Sequence, residues 1–302
     1  MVNYQSFQCL QTLTSHERGV RALTISPDGE ILISGSWDAS IKFWRLAIGE
    51  ELQTWKVHSA AVDALAISSD GQTLASGGWD DMVKIFNIGT GKLLHTWESY
   101  REEASPEISS VVFSKDGKTL YIGSQGGSAY YLDVDTGKEL GTLGPISTGC
   151  SHFAVSRDGE ILAGAYLSKL ETIELPSCKR LHKIRTGLGV ISSIAVSPDS
   201  ETVFSGHRSG EIYLWNPRTG EKLDNLKGHK KTVEALAISH DGQILASGAG
   251  DKTINLWDLS SQTSLCKLEG HSRSITTLSF SPDNCILVSG SMDRAIKIWG
   301  TP

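Results

Sequence analysis

Residues 229–257 run HKKTVEALAISHDGQILASGAGDKTINLW, and residues 271–299 run HSRSITTLSFSPDNCILVSGSMDRAIKIW. Each stretch opens on a histidine, reaches a serine ten residues later, a second serine eight beyond that, then an aspartate after four more, and closes on tryptophan. Between these fixed points lie apolar runs of strand length, broken by turn residues and too short for helices. Two copies at one spacing make a repeat the first thing to look for.

Working outward, an apolar run followed by Ser-x-Asp-(Gly, Ser or Asn) and a second apolar run recurs at Ser26, Ser68, Ser114, Ser156, Ser197, Ser239 and Ser281, with spacings of 42, 46, 42, 41, 42 and 42 residues. That period matches the ~40–45 residues of a four-stranded propeller blade. The runs VDALAI at 62–67 and VEALAI at 233–238 are almost wholly apolar, which predicts inner strands covered on both faces. Asp28-Gly29, Asp70-Gly71, Asp116-Gly117, Asp158-Gly159 and Asp241-Gly242 predict two-residue hairpins between the first and second strands. Thr90-Gly91, Thr136-Gly137 and Thr219-Gly220 predict the turns between the third and fourth.

A Leu-x-x-(Leu or Trp)-x-x-His pattern marks the fourth strand and the loop after it, at Leu52, Trp55 and His58, at Leu223, Leu226 and His229, and at Leu265, Leu268 and His271. Leu10, Leu13 and His16 fit it too. The first strand is therefore expected to complete the seventh blade, with Leu10 and Leu13 covering its edge. Residues 1–302 are expected to form one all-β, seven-bladed propeller.

Composition limits the function. Apolar residues are 39% and charged residues 21% of the chain, ordinary for a globular protein. Lys plus Arg is 28 against 34 Asp plus Glu, a net charge of −6, the opposite of the balance expected for a generic nucleic-acid binder. The five cysteines, Cys9, Cys150, Cys178, Cys266 and Cys285, are dispersed and form no C-x-x-C pair, which points away from a disulfide framework or zinc site. No targeting leader or membrane span is recognisable, and a soluble, cytoplasmic, monomeric protein is expected.

The four-position pattern resembles the WD-repeat family over essentially the whole chain. Repeat one supplies His16, Ser34, Asp38 and Trp44; repeat six His229, Ser247, Asp251 and Trp257; repeat seven His271, Ser289, Asp293 and Trp299. Repeat two has His58, Ser76 and Asp80, with Phe86 in place of tryptophan. Repeat five keeps only Ser205 and Trp215, and repeats three and four have none of the four, with Gly126 and Ser168 at the aspartate position and Leu132 and Glu174 at the tryptophan position. The resemblance implies that these residues form a buried hydrogen-bond relay tying the loop before each blade to the turn between its second and third strands.

A serine, a histidine and an aspartate also invite a hydrolase reading. A working triad occurs once, whereas this set recurs in four repeats, so the structural role is preferred. The inner positions at the mouth of the central channel are Arg21, Asp63, Ser109, Ser151, Ser192, Glu234 and Thr276. Only two are acidic and none is aromatic, which offers neither a metal cage nor the arginine-reading mouth known in one member of the family. No cofactor is expected, and Arg21 and Asp63, in adjacent blades, are expected to pair.

The expected function is a non-catalytic scaffold that binds other proteins or peptides on the histidine-bearing face; the alternative class is an enzyme or ligand-binding propeller using the channel. Trp37 and Trp79 each precede a motif aspartate without being needed by it, and the equivalent positions elsewhere are Gln125, Leu167, Arg208, Gly250 and Met292, so the turn does not demand an aromatic. Trp37 and Trp79 with Arg21 and Asp63 are the expected binding centre, joined by Arg208, Glu234 and Met292. The basic run Lys179, Arg180, His182, Lys183 and Arg185 is read as protection of an exposed strand edge rather than a nucleic-acid or membrane patch, since no aromatic is interleaved with it. The insertion at 99–107 lengthens a loop on the histidine-bearing face.

Overall fold

A computed structural model describes residues 2–98, 107–125, 129–143 and 151–302. They form seven four-stranded antiparallel sheets, the blades, arranged in a ring. Strands β2 (Val20–Ile25), β3 (Ile31–Ser36), β4 (Ile41–Arg45) and β5 (Glu50–Trp55) make blade one; β6 (Val62–Ile67), β7 (Thr73–Gly78), β8 (Met82–Asn87) and β9 (Leu93–Glu98) make blade two. Strands β10–β13, starting at Ile108, β14–β17, starting at His152, β18–β21, starting at Ile191, and β22–β25, starting at Val233, build blades three to six in the same order. The only helical segment among the described residues is a single 3₁₀ turn at Tyr4–Ser6, and no helix is long and apolar enough to cross a membrane.

Blade seven takes β26 (Ile275–Phe280), β27 (Ile286–Ser291) and β28 (Ile296–Gly300) from one end of the chain and β1 (Gln8–Leu13) from the other, with Leu13 opposite Ile296 and Cys9 opposite Trp299. Ahead of β1, Tyr4 and Phe7 enter the core shared by blades six and seven, beside Phe280 and Leu268. This closure joins sequence positions nearly 300 apart and leaves no blade with an unpaired third strand.

Blades meet at close range because each needs a gap for its neighbour. The glycine after the relay serine leaves that gap: a Cβ built on Gly35 would lie 2.8 Å from Val62, on Gly77 2.4 Å from Ile108, on Gly248 2.5 Å from Ile275, and on Gly290 2.7 Å from Val20. The last pair packs blade seven on blade one and shuts the ring.

The turns between first and second strands differ from the expected two-residue hairpins. From Ser26 to Glu30 the connection is five residues, and only the glycine is left-handed, with φ +77° at Gly29. Two backbone bonds set this geometry, Ser26 N–H to the Ile31 carbonyl and Gly29 N–H to the Ser26 carbonyl, both 2.8 Å. Asp28 instead accepts hydrogen bonds from the Ser26 hydroxyl (2.5 Å) and the Glu30 amide (3.0 Å), while the Ile31 amide donates to Ser26 Oγ. The Ser-to-Asp bond recurs at 2.5–2.6 Å in all seven turns. Ser200 and Asn284 adopt the left-handed conformation where glycine is missing.

Leu10 is also placed otherwise than expected. It is 45% exposed, while Leu13 is buried. The ladder skips Leu10, which forms a bulge between Cys9 and Gln11. Leu52, Leu223 and Leu265 are skipped in the same way on their own outer strands; Leu52 and Leu223 are exposed and Leu265 is half-buried, whereas Trp55, Leu226 and Leu268 are buried. The inner strands are packed on both faces but not fully buried: Leu65 and Ile67 lie against the core shared with blade one and Ala66 against the core shared with blade three, all three half-buried.

Candidate functional site

In blades one, two, five, six and seven the loop entering the blade and the turn between its second and third strands lie on one face, called the top face. They are stitched there by backbone bonds from the residue preceding the motif aspartate, Trp37 N–H to the Gly19 carbonyl (3.0 Å) and Trp79 N–H to the Ala61 carbonyl (2.9 Å), with Arg208, Gly250 and Met292 repeating the contact.

Beneath these stitches run the side-chain chains. In blade one the Trp44 indole donates to Ser34 Oγ (2.9 Å), Ser34 lies 2.8 Å from His16 Nε2, and His16 Nδ1 lies 2.8 Å from Asp38. Every group is satisfied when the serine hydroxyl donates to Nε2 and Nδ1–H donates to the carboxylate. Blades six and seven repeat this through Trp257, Ser247, His229 and Asp251 and through Trp299, Ser289, His271 and Asp293, with no link longer than 3.2 Å. Blade two joins His58 to Ser76 and Asp80, each at 2.8 Å, but Phe86 supplies no fourth link. Burial pushes the Asp38 carboxyl up, yet hydrogen bonds from His16 and Ser40 outweigh it and hold the group below the usual carboxylate range; Asp293 follows the same balance with His271 and the Ser272 amide. The serines are fully buried at the bottom of these chains, so no nucleophile faces solvent there.

Blade five differs from its sequence reading. Its Ser205 accepts the Trp215 indole at 2.8 Å and lies 3.0 Å from His207 Nε2, so an imidazole two residues along the same strand takes the vacated place. His207 is fully buried, and burial lowers its pKa against the opposing effect of the Leu188 backbone. The signal was legible as Ser205-Gly206-His207, where repeats one and seven have Ser36 and Ser291 in the final place. In blade four, Ser168 and Glu174 make no such chain; Gly126 of blade three lies outside the described residues.

On the top face four expected residues come together. Arg21 meets Asp63 through two bonds, 2.9 and 3.3 Å, the Trp37 indole donates to the same carboxylate at 3.3 Å, and the Arg21 guanidinium lies 5.5 Å from the centre of the Trp37 ring. The Trp37 and Trp79 rings are 5.5 Å apart and tilted by 54°. Trp37 is half-buried and reaches across to blade two, so it serves interblade packing as well; Trp79 remains 38% exposed. A cleft of about 630 Å³ runs beside both rings, floored by Ala39, Ala60 and Ala61.

Glu234 and Arg208 do not join this cluster but share a second, polar hollow at the channel mouth with Arg21. Burial raises the Glu234 pKa, with Arg21 and Arg208 opposing. His152 lines the same hollow, where burial and then Arg21 push its pKa down to about 4. Sequence reasoning missed it because its position in the repeat carries small residues elsewhere, Ala22, Ala64 and Ala235 among them. Met292 packs against Gly19, within reach of blade one yet apart from the tryptophans. The insertion at 99–106 lies outside the described residues. Among the described residues no three His, Cys, Asp or Glu side chains are placed to hold a metal ion, and Cys9, Cys178, Cys266 and Cys285 are unpaired.

Comparison with known proteins agrees with this geometry. The WD domain, G-beta repeat, matches residues 7–45, 49–87, 178–216, 220–258 and 262–300, leaving unmatched the stretch where the four positions fail. The chain is 30% identical over 215 residues to small ribosomal subunit protein RACK1y of Oryza sativa subsp. japonica, covering 71% of this chain and 53% of that protein. It is 28% identical over 138 residues to periodic tryptophan protein 2 homolog of Dictyostelium discoideum (43% and 14%), and 27% over 130 residues to autophagy-related protein 16 of Arabidopsis thaliana (42% and 25%). The chain thus spans about half the length of the rice relative and less of the others. With its repeats matched over more than half its length and its blades closed in a ring, this chain belongs to the WD-repeat family of β-propellers.

Proposed function

We propose that the chain is a non-catalytic protein-interaction scaffold that holds protein or peptide partners on its top face, centred on Trp79 and Trp37 with Arg21 and Asp63 as the polar surround. The observation that carries this reading is the tryptophan pair itself. Trp79 leaves 38% of its surface in water beside a cleft, although its turn makes the same backbone stitch with glycine or methionine in other blades. A large aromatic on a rigid base loses little conformational freedom on binding, which suits it to anchor a partner. Arg208, Glu234 and Met292 are proposed as outlying contacts. The similar proteins of a small ribosomal subunit and of autophagy fit a scaffold without naming this chain's partner.

The test is to replace Trp79 alone, since Trp37 also bonds Asp63. Affinity recovery from source-cell extract should lose specific partners with Trp79→Ala while the melting temperature stays within about 2 °C, as expected for an exposed side chain. Undiminished recovery, or a destabilised ring, would return Trp79 to packing. A second reading, a small polar ligand at the channel mouth, is favoured by the convergence of Arg21, His152, Arg208 and Glu234 on one hollow; a metabolite that raises the melting temperature of the intact protein but not of Glu234→Gln would support it.

A further inference from the structure

The outer strand of blade four, β17 (Lys179–Arg185), differs in charge from the other six outer strands. It carries four cations and no carboxylate, whereas β5 has two carboxylates and β21 (Lys222–Lys227) has two cations and one carboxylate. On a chain of net charge −6 it is a local positive strip. It is also seven residues long where β1, β5, β9 and β25 have six, and one of its edges is free, because it pairs only with β16 (Lys169–Glu174).

Part of this charge is answered within the blade. Lys183 lies 3.1 Å and Arg180 4.0 Å from the buried carboxylate of Glu171. Lys179 and Arg185, at the two ends, are exposed and make no ion pair among the described residues, and Arg185 stands opposite Lys169 in the ladder. Charge of either sign suffices to keep a strand edge from pairing with its own copies. An excess of one sign does more: it repels an identical strand and attracts an acidic one.

We propose that the free edge of β17 is a docking site for an extended acidic segment of a partner protein, added as a fifth strand with its carboxylates beside Lys183 and Arg185, which share one face of the ladder, and with Lys179 adding positive charge at the strand's other end. Main-chain hydrogen bonds along the edge supply affinity, and the cations select the sequence. Two observations favour a polypeptide over a nucleic acid. No aromatic lies in β17 on which bases could stack, and a long polyanion would run off the strip onto a molecule of its own sign. The site lies on the circumference of the ring and does not depend on the top-face reading.

Fluorescence anisotropy with a labelled peptide alternating glutamate and valine tests this on the intact protein. Saturable binding at low salt is expected, weakened about tenfold by the double change Lys179→Glu and Arg185→Glu, less by Lys179→Gln with Arg185→Gln, and unaffected by Trp79→Ala. A peptide of the same charge with proline in place of valine should bind more weakly, because it cannot complete the ladder. The melting temperatures of all variants should match that of the parent. Absent binding, binding indifferent to the glutamine pair, equal binding of the proline peptide, or tighter binding of oligothymidylate would each overturn the proposal.

Discussion

At the residue scale, the relay reports how a buried polar group is kept. Asp251 accepts from His229, the Lys230 amide and Thr253, so removing its carboxylate orphans several donors in blade six. Asp251→Ala is expected to cost about 1–3 kcal/mol, read as a lower denaturation midpoint at unchanged slope. An unchanged midpoint would mean that the chain of bonds does not form in solution. The pH dependence follows from two sets of groups. His152, His207, His229 and His240 are held neutral chiefly by burial, below the ordinary histidine range, so the unfolded chain takes up protons first and stability should decline as pH falls from about 6.5 toward 4. Asp38, Asp80, Asp251 and Asp293 have lowered values; their contribution is complete above about pH 4 and lost below it, so the decline should steepen there. Denaturant midpoints measured from pH 7 to 3 check both, and His152→Leu should flatten the first phase. The relay was legible because each member sits at a fixed offset from the repeat serine. His207 could not be found by that offset, since it bonds the relay serine from a different backbone position; only its place two residues after Ser205 marked it.

At the element scale, the outer strands show where alternation misleads. A bulge at Leu10 takes it out of the ladder, so two leucines that look equivalent in sequence differ in burial, Leu10 largely in water and Leu13 in the core. Leu13→Ala should therefore cost about 2–4 kcal/mol, the range for a buried leucine, whereas Leu10→Ala should fall within about 0.5 kcal/mol. Equal effects would contradict the register. Removing residues 1–13 should do far more than either change, because Tyr4 and Phe7 leave the core of blades six and seven together with β1, and β28 becomes an open edge. Aggregation or a large fall in melting temperature is the expected outcome, and a truncated protein that melts like the parent would refute the closure. The strand order and the join between the chain's two ends were readable from the Leu-x-x-Leu-x-x-His pattern. The contribution of Tyr4 and Phe7 was not, because they precede the first repeat and share no pattern with it.

At the scale of the whole molecule, the ring separates stability from recognition. The glycines that admit Val62, Ile108, Ile275 and Val20 set the distance between blades, and the Ser-to-Asp turns brace the opposite face, so the top-face side chains ride on a frame that they do not hold together. Trp37 qualifies that separation, for its indole both packs across blades and borders the cleft. The period of the repeat was enough to give the number of blades, but not the choice of binding residues. Those depend on which side chains at one repeated position stay in water, and exposure is a property of the assembled ring. The direct measurement is hydrogen exchange of the intact protein, free and bound to a partner recovered through Trp79. New protection should fall on the top-face loops, residues 15–19, 37–40, 57–61 and 79–81, with β1 as slowly exchanging as β28 in both states. Protection confined to the Ser-x-Asp turns of the opposite face, or a β1 that exchanges like a free end, would contradict the account.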